Sequence, residues 1–450
     1  GRAGAVERVK LCTGLCGAGT EARAWRSVVR GRSFGIGSGR GCARSGGVRL
    51  RAGLGELVRL SAELCAGLGA ARDCAYKYVR RIEKEEIDMN IPVLEPCEVL
   101  FYPTQKEYCD ESIRQYQGCP TIAATRGGRL FAGWYSGGRC EPHIDNFNLV
   151  IVSDDQGKNW SKPVIVIPSD REKLIHSLDI QLWVDPEGRL WVFWVEERTR
   201  RAVENDTAYV VDGYAFGVDH IHGEWAMVCD DPDADELVFS APRRLDDGFL
   251  RCKPLALRSG RYIAFNYDQN TDRYGYSISD DKGATWTRHY GAQKIPTPFD
   301  EGMAVEKKNG DIHMMARTEC AVHALAETTS YDGGLTWDAA SVSHWRDPSS
   351  RFFYARTPSG RLMLVKNDDG EHRRSMTVFL SDDDGESWPY SALIDPRDGT
   401  SYPDADFYDG RIYLMHDCGR TKEKEILLSV FTEEDVIAGR AITPRVVSKP

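Results

Sequence analysis

The chain is predicted to be all-β, a six-bladed β-propeller with Asp-box turns, and two repeats predict it. The first is a turn glycine followed by an outgoing strand. It reads Arg-Gly-Gly-Arg-Leu-Phe-Ala-Gly at 126–133 and Pro-Glu-Gly-Arg-Leu-Trp-Val-Phe at 186–193. It returns at 258–265, 308–315, 358–365 and 408–415. The turn glycines are Gly128, Gly188, Gly260, Gly310, Gly360 and Gly410, spaced by 60, 72, 50, 50 and 50 residues. A period near 50 residues with hairpin chemistry marks a radial array of small sheets. Glycine suits the turn because it takes φ > 0 with no Cβ clash.

The second repeat, Ser-x-Asp-x-Gly-x-x-Trp, follows the turn glycine by about 20–25 residues in four blades. Its copies are Ser153/Asp155/Gly157/Trp160, Ser279/Asp281/Gly283/Trp286, Ser330/Asp332/Gly334/Trp337 and Ser381/Asp383/Gly385/Trp388. This is an Asp-box. Ser and Asp side chains bond turn backbone, Gly takes the left-handed position and Trp packs into the blade. Asp155, Asp281, Asp332 and Asp383 are therefore read as turn-formers, not catalysts.

The elements follow in order. Residues 89–117 are a lead-in, with a strand candidate at 98–102 placed to close the last blade. Blade 1 covers about 118–168, with strands at 119–125, 129–135, 148–153 and 164–167. Blade 2 starts near 177 and carries Trp183, Trp191 and Trp194 on its inner strands. It is irregular through 199–247, where acidic 230–236 reads as a loop. Blades 3, 4 and 5 start near 249, 299 and 349. Blade 6 starts near 400 and ends in 425–431.

With 450 residues the chain is long enough for several domains, but stacked repeats share one core. A net charge of −10 argues against a general nucleic-acid surface. No run of about 20 apolar residues is present, so no membrane span is expected. Charge is uneven: residues 1–88 hold 17 Lys+Arg against 9 Asp+Glu, and the rest hold 41 against 59. That leader is rich in Arg and Gly and shows little sustained period. It reads as a disordered basic arm or as non-native sequence. The second reading rests on Lys84-Glu85-Glu86, which can be encoded AAG-GAG-GAA, a bacterial ribosome-binding sequence, with Met89 at a distance suited to initiation. The expected protein is then residues 89–450 of a bacterium. No secretory h-region flanks Met89, so a cytoplasmic location is expected. Five of the 13 cysteines lie in the leader, and the other eight show no CxxC or framework spacing. Neither zinc nor a disulfide scaffold is suggested. No metal cluster or phosphate-binding loop is evident, so no metal and no cofactor are expected.

Strand direction sorts the chemistry. Turn glycines and Asp-boxes share one face, and the starts of the innermost strands share the other, around the axis. Nine residues before the turn glycines stand Cys119, Asp179, Arg251, Glu301, Arg351 and Ser401, with Tyr402 one further on. Such groups beside a core need a partner or a ligand. Arg317 and Asp417 end the second strands of blades 4 and 6, and Arg373 follows in blade 5. The blade 1 loop carries Arg139, Glu141, His143 and Asp145. Arginines beside Glu301 and Tyr402 make a pocket suited to an anion, and an acidic sugar or glycoconjugate is the natural partner. A ring of inter-blade salt bridges is the competing reading.

At these residues the chain resembles the sialidase superfamily, six-bladed propellers with Asp-boxes, over about 118–437. The resemblance implies Tyr402 as nucleophile paired with Glu301, because Asp300-Glu301-Gly302 and Ser401-Tyr402-Pro403-Asp404 stand where that family has its Glu and Tyr. It implies Arg317 and Arg373, and possible support from Arg351, Arg251 and Arg139, as ligands of the substrate carboxylate. The family's first arginine, in Arg-Ile-Pro, is missing: the chain has Gly118-Cys119-Pro120, with Arg139 or Arg114 as substitutes. Asp145 is the best-placed acid/base, with Glu141 and His143 as alternatives. Asp179 and Trp134 are candidate sugar contacts.

The implied reaction is retaining hydrolysis of a terminal acidic sugar. A neutral phenol avoids repulsion with the substrate carboxylate until Glu301 takes its proton. Asp145 would protonate the leaving oxygen and then activate water. Two other readings stay open. One is a hydrolase or lyase of uronic-acid-linked glycans using His143, His176 or His416. The other is a non-catalytic glycan- or protein-binding propeller.

Overall fold

The computed structural model describes residues 95–450, apart from 218–221 and 298. The two readings of residues 1–88 lie outside the described residues. No described helix is long and apolar enough to cross a membrane.

The described chain is all-β, and six successive segments each fold into an antiparallel meander. The first sheet runs from Gln117–Ala124 through Leu130–Ser136 and Phe147–Ser153 to Ile165–Ile167. The second uses Ile175–Val184, Leu190–Arg198, His222–Cys229 and Arg243–Asp246, with a three-stranded excursion at 200–216. The third is broken at its inner edge, where Phe249–Leu250 pairs with Asn266–Tyr267 and Leu255–Ala256 with Tyr262–Ala264. The remaining three start at Gly302–Glu306, Phe353–Arg356 and Thr400–Tyr408.

All six turn glycines have φ between 72° and 99°. This is the left-handed region expected of them. The Ser-x-Asp-x-Gly turns are built alike in all four sheets. Ser153 Oγ donates to Asp155 Oδ1 at 2.8 Å and accepts from Gly157 N at 2.8 Å. Asp155 then accepts from Asn159 N at 2.8 Å and Nδ2 at 2.6 Å. Thr285, Thr336 and Ser387 repeat the Asn159 contacts on Asp281, Asp332 and Asp383. The residue before each Trp thus belongs to the motif, because only a side-chain donor there closes the turn.

The two repeats are also tied to each other. The Arg after the turn glycine pairs with the Asp before the box Asp: Arg129 with Asp154 at 2.6 Å, Arg261 with Asp280 at 2.7 Å and Arg361 with Asp382 at 2.6 Å. In the fourth sheet these positions hold Asp311 and Tyr331, so both partners change together. The turn glycines and boxes of these three sheets therefore lie on one side.

The core lies between neighbouring sheets, not within one layer. One cluster joins Phe131 and Val150 of the first sheet to Leu182 and Trp194 of the second. Others join the second to the third through Trp191 and Tyr262, and the third to the fourth through Ile263 and Met314. The fourth, fifth and sixth share Met315, Leu364 and Leu414, and Met415 of the sixth packs on Leu149 of the first. Burial on both faces explains the uninterrupted apolar run 149–152 within Phe147–Ser153, in place of strict alternation.

One strand differs from expectation. Leu100–Phe101 does not close the last sheet; it pairs with Ile165–Ile167 as a fifth strand of the first. The last sheet leaves it no place, because Arg445–Ser448 supplies its outer strand.

Between the second and third sheets Glu224 is buried, accepting from Asn266 Nδ2 at 3.0 Å. Burial, reinforced by Asp246, pushes its carboxyl up to about 8. A carboxyl raised in the folded state binds its proton more tightly there than unfolded. Its contribution to stability is best near or below its ordinary value and falls as pH rises through about 8. Glu224→Gln is therefore expected to be near neutral at pH ~4.5 and to stabilise by on the order of 3 kcal/mol at pH ~9. Urea melts at the two pH values check this; equal effects would contradict it.

Candidate active site

Where the innermost strands of the first, second and sixth sheets begin, each carries a β-bulge, with register shifts at Gly118/Thr121, Leu178/Gln181 and Ser401/Asp404. The bulged residues Cys119, Asp179 and Tyr402 have φ of 57°, 60° and 54°. A non-glycine residue held there is strained and re-aims its side chain. All three side chains are buried and meet Arg251. Arg251 Nη1 pairs with Asp179, its Nη2 lies 3.5 Å from Cys119 Sγ, and its guanidinium is 5.1 Å from the Tyr402 ring centroid.

Tyr402 is the centre of the site. Its hydroxyl donates to Glu301 Oε1 at 2.8 Å and accepts from Arg317 Nη1 at 3.0 Å. Glu301 is itself gripped by Arg317 at 3.0 Å and Arg251 at 3.2 Å. Burial alone would raise the Glu301 carboxyl, but Arg317 and Arg251 outweigh it and hold it at about 2. Around the ring stand Arg351 at 5.1 Å, Arg373 at 5.4 Å and Arg420 at 4.2 Å. Tyr116, Tyr135, Phe249 and Tyr267 pack in the same cluster and keep water from the charges.

The arginines divide by what holds them. Arg351 gives its donors to carbonyls, of Arg251 at 2.6 Å, Pro120 at 2.9 Å, and Tyr402 and Pro403 at 3.3 Å each. It ties strand starts of the first, third and sixth sheets, where converging carbonyls have no water to bond. That corrects its expected role as a substrate ligand. Arg373 donates to Ser349 O at 2.9 Å and has no carboxylate in ion-pair range among the described residues. Its remaining donors are suited to an anion.

Two predicted residues stand elsewhere. Asp145 is clasped by Arg171 Nε and Nη2 at 2.5 Å each, and Arg139 pairs with Asp212. Neither contacts Tyr402, because their loop turns away after Glu141. It is Glu141 that reaches the site: it accepts from Tyr116 Oη at 2.7 Å and Arg420 Nη1 at 2.8 Å, and lies 3.9 Å from Arg251. Burial would raise its carboxyl, but Arg420 and Arg251 prevail and hold it at about 2. Trp134 is buried, its Nε1 on Gln117, so it offers no face to a sugar. Arg114 is buried against Gln117, Ser448 and the Tyr108 carbonyl. His143, His176 and His416 are paired with Asp212, Glu197 and Asp395.

Arg420 was not foreseen. It lies three residues past Asp417, after the strand, in a loop whose start no period fixes. The signal that could have found it is Gly118, a strand residue with no side chain facing the centre.

A phenol wedged between a carboxylate and guanidiniums stands where strands of successive sheets begin in an all-β protein. The model of the BNR repeat-like domain matches residues 128–414, and the chain belongs to that family, within the sialidase superfamily. It is 25% identical over 179 residues to the anhydrosialidase of Macrobdella decora, a match covering 35% of this chain and 23% of that protein. It is 25% identical over 151 residues to the sialidase of Micromonospora viridifaciens, covering 31% and 23%. The chain thus matches about a quarter of the length of these curated relatives. Among solved structures it is similar to the Hadza microbial sialidase Hz136, with a TM-score of 0.59 and 17% identity over 73% of this chain and 68% of that one.

Proposed function

We propose that the six sheets are the blades of a β-propeller, and that the protein is an exo-acting glycoside hydrolase of sialidase type. Its substrate is a glycan or glycoconjugate ending in a carboxylate-bearing sugar, sialic acid or a close relative, and its reaction retains configuration. The observation that carries this reading is the Tyr402 hydroxyl, 2.8 Å from Glu301 and 3.0 Å from Arg317.

Tyr402 Oη attacks the anomeric carbon while Glu301 takes its proton. The guanidiniums around the ring stabilise the charge that develops on Oη. The substrate carboxylate, settling on Arg317 and Arg373, offsets part of the positive charge that makes Glu301 a weak base in the empty site. Glu141, in place of Asp145, takes a proton from solvent once the substrate carboxylate draws off arginine charge that keeps it ionised. It gives that proton to the leaving oxygen as the glycosidic C–O bond breaks, and then, as the base, activates the water that frees the sugar. Arg251 and Asp179 fix the position of Glu301.

The test is release of dye from a fluorogenic α-sialoside by the full chain. Turnover with a first-formed α-configured product supports the reading. A folded protein inert on the α-sialoside and on a panel of uronides would overturn it.

A further inference from the structure

Gly118 lies in the inner strand of the first sheet, and the space its side chain would fill is taken. A Cβ built there would sit 2.8 Å from both Cγ and Cδ of Arg420 and 2.9 Å from its Nε. Real Cβ atoms do not approach so closely, so any larger residue at 118 must move the arginine. Arg420 arrives from the sixth sheet, after Arg411–Cys418, and its carbonyl accepts from Gln117 N at 3.2 Å. Its guanidinium lies nearer the Tyr402 ring, at 4.2 Å, than those of Arg251, Arg351 and Arg373.

Its partners differ in how firmly they are held. Asp417, 3.0 Å from Nε, is fully buried and also accepts from Cys119 N at 2.8 Å and Ser401 Oγ at 2.6 Å. Ser401 Oγ accepts weakly from Nη2 at 3.4 Å. Glu141 on Nη1 keeps its side chain 28% exposed, sits on a loop and is held at its carboxylate by Tyr116 and two arginines. Around Tyr402 the guanidiniums of Arg251, Arg351, Arg373 and Arg420 stand over its ring and Arg317 on its hydroxyl. If Glu141 swings outward, Arg420 turns a free fork edge toward the site, a geometry that suits a planar carboxylate.

We propose that Arg420 is a ligand of the substrate carboxylate, delivered from the last sheet through the space that Gly118 leaves open in the first. Glu141 holds its place in the empty site and gives it up to the substrate. This rests on the acidic-sugar reading above. It also gives Glu141 its proton-donor role: exchange of Arg420 to the substrate removes one of the two cations that keep Glu141 ionised.

The experiment is calorimetric titration of the full chain with N-acetylneuraminic acid and with its uncharged methyl ester. Wild type is expected to prefer the acid. Arg420→Ala and Gly118→Ala are each expected to weaken acid binding by about 10- to 100-fold and to leave ester binding within about threefold. The double variant Gly118→Arg/Arg420→Ala is expected to recover much of the preference, which a purely structural arginine would not allow. Gly118→Ala keeps every charge and displaces only the arginine stem, so it carries the test if Arg420→Ala fails to fold. A preference that survives both single variants overturns the role of Arg420 and leaves the acidic-sugar reading standing. No preference in wild type overturns that reading and this inference with it.

Discussion

Replacing Tyr402 by phenylalanine is expected to lower kcat on an acidic glycoside by at least about a thousand-fold, because it removes the attacking oxygen. The ring stays, packed under Arg420 at 4.2 Å and beside Arg251 and Arg351 at 5.1 Å. What goes is an oxygen with two partners, Glu301 and Arg317, which remain bonded to each other at 3.0 Å. No buried charge is stranded, so the stability cost is expected to be about 1 kcal/mol. Large loss of rate with small loss of stability separates a nucleophile from a packing residue. Initial rates and a thermal melt on the same preparation check it. A variant that keeps a tenth or more of wild-type rate would remove Tyr402 from the reaction. The strained backbone of Tyr402, φ 54°, is untouched by the change, so altered geometry would not explain the loss.

The repeats made the sheets legible because each rule they use is local. A turn glycine needs positive φ, and Ser153, Asp155 and Asn159 close a turn within seven residues. Such signals recur wherever the geometry recurs. Counting from the glycines also found Asp179, Arg251, Glu301 and Tyr402, which do meet, because strand length fixes where a strand begins. The same count could not tell what each charge would find there. Arg351 lies at an equivalent place and spends its donors on carbonyls, a consequence of three strands converging that no one strand reveals. Loops obey no such count. In the loop after Ser136, Glu141 and Asp145 are four residues apart, yet one faces Arg420 and the other Arg171. The outer strand Leu100–Phe101 was misplaced for a similar reason: which sheet lacks an outer strand depends on Arg445–Ser448 at the far end of the chain.

Glu301→Gln is expected to be costly twice over. Glutamine fills the same volume but keeps one acceptor oxygen where glutamate has two. Its NH2 must therefore face either Arg317 on one side or Arg251 and Tyr402 on the other, and both arginines have only donors to offer. Arg251 keeps Asp179; Arg317 keeps no other carboxylate in ion-pair range among the described residues. Removing one partner of such a buried pair typically costs about 3–5 kcal/mol. The loss depends on pH with a definite sign. Glu301 is held at about 2 in the folded protein against an ordinary 4.5. Its stabilising contribution is therefore complete above the ordinary value and is lost as pH falls toward 2. Wild type and variant should differ fully at pH ~7, draw together below pH ~4.5 and converge only at about pH 2. Activity is expected to fall by about 10²–10⁴-fold, the usual worth of a general base. If Glu301 acts only by taking the Tyr402 proton, the two losses cannot add. The double variant Tyr402→Phe/Glu301→Gln should then be no slower than Tyr402→Phe alone. Additive losses in kcat would mean that Glu301 serves the transition state by a route independent of the phenol, through the charge it sets on Arg317 and Arg251.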